Sequence, residues 1–386
     1  MKIFSNNITR RGLLITGSLS LIALPALLPS LLNKAESDKT DRSINKSHEI
    51  FLTGHKVNGE HFISGMTLAG AEVFRTKLQT QFHSIAACPA TPNIVIGIPR
   101  NPDSLALVIS TQTGQIITSL KPGIGRHFNG HGCFSLDGRY FYASENNYTK
   151  QQGSVGIYDL STTLRTGELN SFGQGPHELG LLSDNRTLVI ANGGVQTLPE
   201  SGREALNKAT MLPSLAYIDS QTGKLLQQHE LSDHHLSIRH MTISKNDTVG
   251  VALQYKGREN SPALVGFQRG SEPIKLLKSN SEKTHWKMNN YTASIAIHPK
   301  SGVTGVTCPR GNLVTFWDSH KQKFLKALDI NDPGGIALSR DGKYFFVTSA
   351  TGDLFHIESA TLEIVTPGLS PWPKAHWGNH FTQLAV

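Results

Sequence analysis

Three cysteines in 386 residues are too few for a disulfide framework. Cys88, Cys133 and Cys308 each fall in or beside a predicted strand, where a free cysteine behaves as a small buried hydrophobe. Beyond residue 35 no apolar run reaches the roughly 18 residues that a membrane span needs, so the mature domain is expected to have no membrane span. Charge is also scarce: 17% of residues are charged against 38% hydrophobic, a balance that excludes a disordered chain. The formal net charge is +8, but Lys2, Arg10, Arg11 and Lys34 stand in an acid-free N-terminal segment. Of the 37 basic residues, 33 remain beyond it against 29 acidic ones, which argues against nucleic acid as a partner. The sequence has no G-x-S-x-G elbow, P-loop, H-E-x-x-H helix or C-x-x-C-H haem attachment site.

What the N-terminus does contain is Thr9-Arg10-Arg11-Gly12-Leu13-Leu14, followed by an apolar stretch from Leu13 to Leu32. Residues 1–35 therefore read as a twin-arginine export signal, 36–47 as a polar linker and 48–386 as the exported domain. There is no clean Ala-x-Ala site, so the segment reads either as cleaved or as an anchor. In both readings the domain faces the periplasm. This route carries proteins already folded, often with a cofactor loaded, which raises the expectation of a bound metal or cofactor.

The domain repeats. The block from His131 to Glu145 holds a strand, an Asp-Gly turn and a second strand. Similar blocks begin at His83, His177, His240, Ser294 and Gly335, with the successive starts 48, 46, 63, 54 and 41 residues apart. His380 opens a truncated seventh unit 45 residues later. A second hairpin follows in each unit, as in LVISTQTGQIITSL and LAYIDSQTGKLLQQHEL. Four short strands at this period make a propeller blade, and seven starts predict an all-β, seven-bladed β-propeller. The last unit has one strand, while residues 50–78 offer three before His83. The strand from Phe381 to Val386 is thus expected to pair with the strand around Ile50 to Thr53, closing the ring. The long step from His177 to His240 places an insertion at roughly Val195 to Pro213, expected over the end of the channel that bears the repeat starts.

The first strand of a blade is its innermost, so the seven starts form a ring at one mouth of the central channel. Five of them are histidine: His83, His131, His177, His240 and His380. A lone strand histidine usually makes a backbone hydrogen bond and nothing more. Five together favour metal or anion binding, since neutral imidazole suits Zn, Cu, Fe and Ni. The mouth of such a channel is wide, so the expectation is that three or four of the five converge on one ion, or that the ring holds a cluster or a bound metal complex. Residues ending the second strands or flanking the starts are expected as supporting or ligand-binding groups: Arg126, His127, Glu145, Glu178, Asn192, Arg239 and Asn379, with Gln254 and His55 as further candidates.

GRHFNGHG (Gly125 to Gly132), GQGPHEL (Gly173 to Leu179), ANGG (Ala191 to Gly194), SGREALNKATMLPSL (Ser201 to Leu215), LSIRHM (Leu236 to Met241), YTASIA (Tyr291 to Ala296) and WGNH (Trp377 to His380) carry a family resemblance. The chain resembles the exported propellers of the domain of unknown function 1513 family. The resemblance implies seven blades, a twin-arginine signal and a setting among iron-uptake proteins, and brings no activity with it. Thr197-Leu198-Pro199 and Trp377-Gly378-Asn379-His380 depart from the family's Thr-His-Pro and Trp-Asp-Asn-His. The five ring histidines are kept. The resulting expectation is a periplasmic metal-binding or iron-uptake accessory propeller holding Fe, Cu or Zn, with periplasmic iron-uptake proteins as partners. Two alternatives stand beside it: a metal- or haem-dependent enzyme of redox or lyase type, and an interaction scaffold with structural histidines.

Overall fold

The computed structural model describes residues 49–100, 104–201, 204–258, 262–369, 372 and 374–384. The expected signal and linker lie outside the described residues. Twenty-eight strands, β1 to β28 along the chain, form seven four-stranded antiparallel sheets, one per blade, among the described residues. The innermost strands are β4 (Phe82–Ala87), β8 (Arg126–Phe134), β12 (Pro176–Leu181), β16 (Leu236–Ile243), β20 (Ser294–Ile297), β24 (Pro333–Leu338) and β28 (His376–Gln383). Each packs on the next, and β28 packs on β4, so the ring is closed.

Burial follows position within the blade. Middle strands lie between neighbouring blades and are apolar on both faces: Ile94–Pro99 (β5) and Ser214–Asp219 (β14) are buried along their whole length. Outer strands such as Leu225–Glu230 (β15, LLQQHE) are largely exposed. Tight turns join the strands at the expected places, as at Asp137-Gly138, where Gly138 takes a positive φ of 70°.

The closing blade is built from both ends of the chain, in the order β28, β1 (Ile50–Val57), β2 (Glu60–Thr67), β3 (Glu72–Leu78). Phe51 faces Gln383, Leu52 faces Thr382 and Thr53 faces Phe381, the pairing expected from the repeat. Phe51 also stacks on Phe381 with ring centroids 4.8 Å apart. Between β13 (Thr187–Asn192) and β14 the chain makes the excursion expected near Val195 to Pro213, with 3-10 turns at Pro199–Ser201 and Lys208–Thr210. Among the described residues no helix is long and apolar enough to cross a membrane.

Candidate metal centre

The five histidines reach the channel because their strands break register there. In β4 the ladder skips between Phe82 and Ser84, in β12 between Pro176 and Glu178, and in β16 between Ile238 and His240. In β8 the irregularity spans Phe128 to Gly132, and in β28 it lies opposite Thr53 to His55, where residues 378–380 stand against Gly54 alone. A bulge re-aims a side chain and adds local twist. Here each bulge carries or adjoins the histidine and turns it off the face of its blade. Gly130 in β8 makes the crowding feasible: it has a φ of 106°, and any Cβ there would run into the His83 ring.

The sequence alone suggests a wide mouth with three or four converging imidazoles; the structure brings in all five. Ring centroids stand 4.6 Å apart for His131–His380, 4.7 Å for His131–His177, 4.8 Å for His83–His380 and 6.2 Å for His83–His240. The Nε2 atoms of His83 and His177 are 3.1 Å apart. Ligand atoms of His131, His177 and His240 lie within 4.8 Å of one another, as do those of His83, His131 and His380. His131 belongs to both sets. His131, His177 and His240 are buried, so the cluster is a plug inside the channel and not an open rim.

Burial is the main reason these imidazoles stay neutral. It holds His240 and His380 down at about 3, helped at His240 by Arg239 and Arg100, and at His380 by His240 and Arg100. His83, His131 and His177 are pushed well below 6.5 by burial, then by neighbouring imidazoles and by Arg100 or Arg239. Neutral imidazole is the metal-binding form.

Glu178, the residue after His177, supports the cluster from the other side. Its carboxylate accepts the Met241 N–H at 2.8 Å and lies 3.3 Å from His240 Nδ1 and 3.6 Å from His131 Nδ1. Burial raises it to about 7, against the pull of His380 and the Met241 bond. A carboxylate on Nδ1 fixes ring orientation and directs Nε2 at a metal. His131 Nε2, His177 Nδ1 and His380 Nε2 are buried with no hydrogen-bond partner. Two nitrogens each about 2.1 Å from one ion stand roughly 3.0–3.4 Å apart, close to the His83–His177 separation. Neutral, converging, partly orphaned nitrogens with a carboxylate behind them fit a transition-metal ion.

The plug separates two cavities. At the N-terminal ends of the inner strands, a chamber of about 460 Å³ is lined by His83, His177 and His240 together with Arg100, Arg239, Lys208 and Lys256. Val195, Glu204, Ala205 and Lys208 bring the insertion over this chamber, the side expected for it. Towards the C-terminal ends of β4 and β8, a cavity of about 330 Å³ is lined by His131, His380, Glu178 and Cys133.

Arg239, Asn379 and Gln254 line the chamber and Glu178 touches two imidazoles, as the repeat implies. Five other candidates are not brought to the cluster. Arg126 pairs with Glu168 at 2.7 Å in β11 (Leu164–Asn170). Glu145, in β9 (Tyr140–Asn147), accepts from Tyr158 Oη at 2.6 Å and Arg165 at 2.7 Å. Asn192 donates to the Ser171 carbonyl at 2.8 Å, and His127 has Nδ1 3.1 Å from the Phe128 carbonyl and stacks on Tyr148. His55 packs between Phe62 and Trp372. Glu145 runs outward along its blade because Gly156 on the adjacent strand leaves it the room. Sequence reasoning missed Arg100 and Lys256. Both stand just past the ends of second strands, β5 and β17 (Val249–Tyr255), beyond the positions that the repeat singles out.

The family model described as "Protein of unknown function (DUF1513)" matches residues 76–384, a span that includes all five histidines. Among solved structures, a chain of Kuenenia stuttgartiensis hydrazine synthase is similar at 13% identity with a TM-score of 0.63, covering 79% of this chain and 91% of that one. A chain from a crystal structure of the mitotic checkpoint complex is similar at 11% identity and a TM-score of 0.55, covering 75% of this chain and 77% of that one. At such identities the likeness shows the propeller fold alone. No curated protein sequence matches the chain. The chain belongs to the DUF1513 family.

Proposed function

We propose that this member of the DUF1513 family holds a transition-metal ion, Fe, Cu or Zn, in its five-histidine plug and serves in the periplasm as a metal-binding accessory of iron uptake. One observation carries the reading: five neutral imidazoles from five blades converge inside the channel, and three of them keep a buried ring nitrogen without a partner. Histidines that only bridge blades would spend those nitrogens on backbone groups. His131, His177 and His240 are the first ligand set, with His83 or His380 completing it and Glu178 orienting two of the rings. The twin-arginine segment supports the location, because that route delivers a folded protein whose buried site can be filled beforehand. The partners proposed are periplasmic iron-uptake proteins.

The test is metal analysis of protein exported by its own signal, alongside the His131→Ala/His240→Ala double variant. The reading expects about one ion per chain, lost in the variant with the fold retained. Absent metal, or metal retained in the variant, would return the histidines to a structural role. A metal-dependent enzyme is the second reading, favoured by the chamber of about 460 Å³ against the imidazoles, which gives a substrate room beside the ion. A redox-active centre in the purified protein would favour it.

A further inference from the structure

The chamber has a chemistry of its own, apart from the metal. Arg100, Arg239, Lys208 and Lys256 line it, and Glu204 is the one carboxylate among its described lining residues. These cations come from two blades and the insertion: Arg100 follows β5, Arg239 lies in β16 and Lys256 follows β17 of the same blade, and Lys208 opens the second 3-10 turn. Their fields overlap in one place. Arg100 acts on all five histidines, and Arg239 on His131, His177 and His240. Lys256, which donates to Gln254 Oε1 at 3.0 Å, is brought down to about 7 by burial and then by Arg239, Arg310, Arg100 and Lys208. Like charges gathered this closely in a half-enclosed space repel one another, and an anion relieves the repulsion.

We propose that the chamber is the binding site of a small organic polyanion, a carbon frame bearing two or more carboxylate or phosphate groups. Four cations converging on one space match a multiply charged ligand, since arginine and lysine recognise both oxyanions. A volume of about 460 Å³ suits an organic molecule and far exceeds a single inorganic ion. Trp377 and Tyr291 give the carbon frame apolar wall to rest on, and Asn379 and Gln254 offer neutral hydrogen bonds. The ligand would lie directly against His83, His177 and His240 with the insertion as its cover.

The site does not depend on a bound metal, so the experiment uses the full exported protein stripped of metal. Citrate and fructose 1,6-bisphosphate serve as carboxylate and phosphate probes in titration calorimetry at low salt, with inorganic phosphate as the simple-anion control. One organic probe should bind at micromolar to sub-millimolar concentration, and the tighter of the two identifies the charged group. Binding should weaken about tenfold or more in Arg100→Gln and in Lys256→Gln, and fall as salt is raised. An anion favours the charged form of Lys256, so binding at pH 7.5 should take up a proton, and Lys256→Gln should abolish that uptake. Lys208→Gln, on the exposed insertion, gives a third variant should either of the others fail to fold. No binding of either organic probe at millimolar concentration, affinity unchanged in the variants, or inorganic phosphate binding as tightly as both would overturn the proposal. Polyanion binding without any metal affinity would sink only the metal reading above, and metal affinity without polyanion binding would sink only this one.

Discussion

Five blades send an imidazole into the channel and two do not, although all seven offer an innermost strand at the same place. In the blade of β20 the strand runs without a register shift, and Ser294 Oγ accepts the Ile336 N–H of the neighbouring blade at 3.3 Å. In the blade of β24 the ladder shifts between Pro333 and Ile336, yet the shifted residues are Gly334 and Gly335. A Cβ on Gly335 would stand 2.5 Å from the Phe381 nitrogen and 2.7 Å from the His380 carbonyl carbon. Here the room that elsewhere holds a ring is taken by the adjoining backbone of β28. The histidine blades trade ladder regularity for a side chain in the channel, and the other two trade side chain for close approach. That close approach sets β28 beside the plug, so the glycine side of the ring positions His380 for the imidazole side.

Truncation tests the comparison most severely. Deleting residues 380–386 removes His380 together with the part of β28 that pairs with Phe51, Leu52 and Thr53 of β1, exposing Phe51 and its neighbours. Loss of the soluble folded protein is expected, read by circular dichroism and gel filtration.

Acid comes next. Each ring histidine titrates in the folded state below 6.5, so the unfolded chain binds more protons as pH falls through 6.5, and stability present above that value is lost below it. Between pH 7.5 and 5.5 each histidine costs the metal-free protein about 1.4 kcal/mol, roughly 7 kcal/mol for five. Glu178, raised to about 7, runs the other way and offsets about one histidine's share. Urea unfolding across this range should show the slope, and His131→Ala/His240→Ala should flatten it. The imidazoles should go on binding metal well below pH 6.5, since His240 and His380 do not take up protons until about 3, and the first decline in affinity should follow Glu178 as it is protonated through about 7.

Gly335→Ala should cost about 3 kcal/mol or more, because the obstacle is backbone and cannot step aside. Ser294→Ala, on the same side of the ring, should cost about 1 kcal/mol in the same unfolding assay. Equal costs would mean that the glycine contact is not what holds the two blades together. Of similar size to the serine loss is Glu178→Gln, which keeps the shape and loses the charge behind two imidazoles. A loss of metal affinity of about 10-fold is expected, measured by chelator competition. An unchanged affinity would leave Glu178 with the Met241 N–H alone.

The blades were legible in the sequence because tight turns and buried middle strands leave local signatures: Asp137-Gly138 between two apolar runs marks a hairpin wherever it stands. The closing strand and the insertion followed from counting repeats. The bulges leave a weaker mark. Asn129-Gly130 before His131 and Gly378-Asn379 before His380 hint at broken ladders, but nothing near His83 does so. A place at the end of a second strand sends Glu145 and Asn192 to the channel, whereas an Arg165 from the outer strand and the Ser171 carbonyl hold them inside the blades. Arg126 was drawn by adjacency to His131 in sequence, yet it stands at the far end of a long strand, where Glu168 meets it.

The pairing of β1 with β28 also has a meaning in time. Four of the five imidazoles lie on strands made earlier, and the fifth comes with the last strand, which must find a partner more than 300 residues upstream. A contact of that span forms late, after the intervening blades have stacked. An emerging chain therefore lacks the full set of rings, and a partly folded one leaves the channel open on the side where His380 belongs. The completed five-histidine plug is a certificate of finished folding.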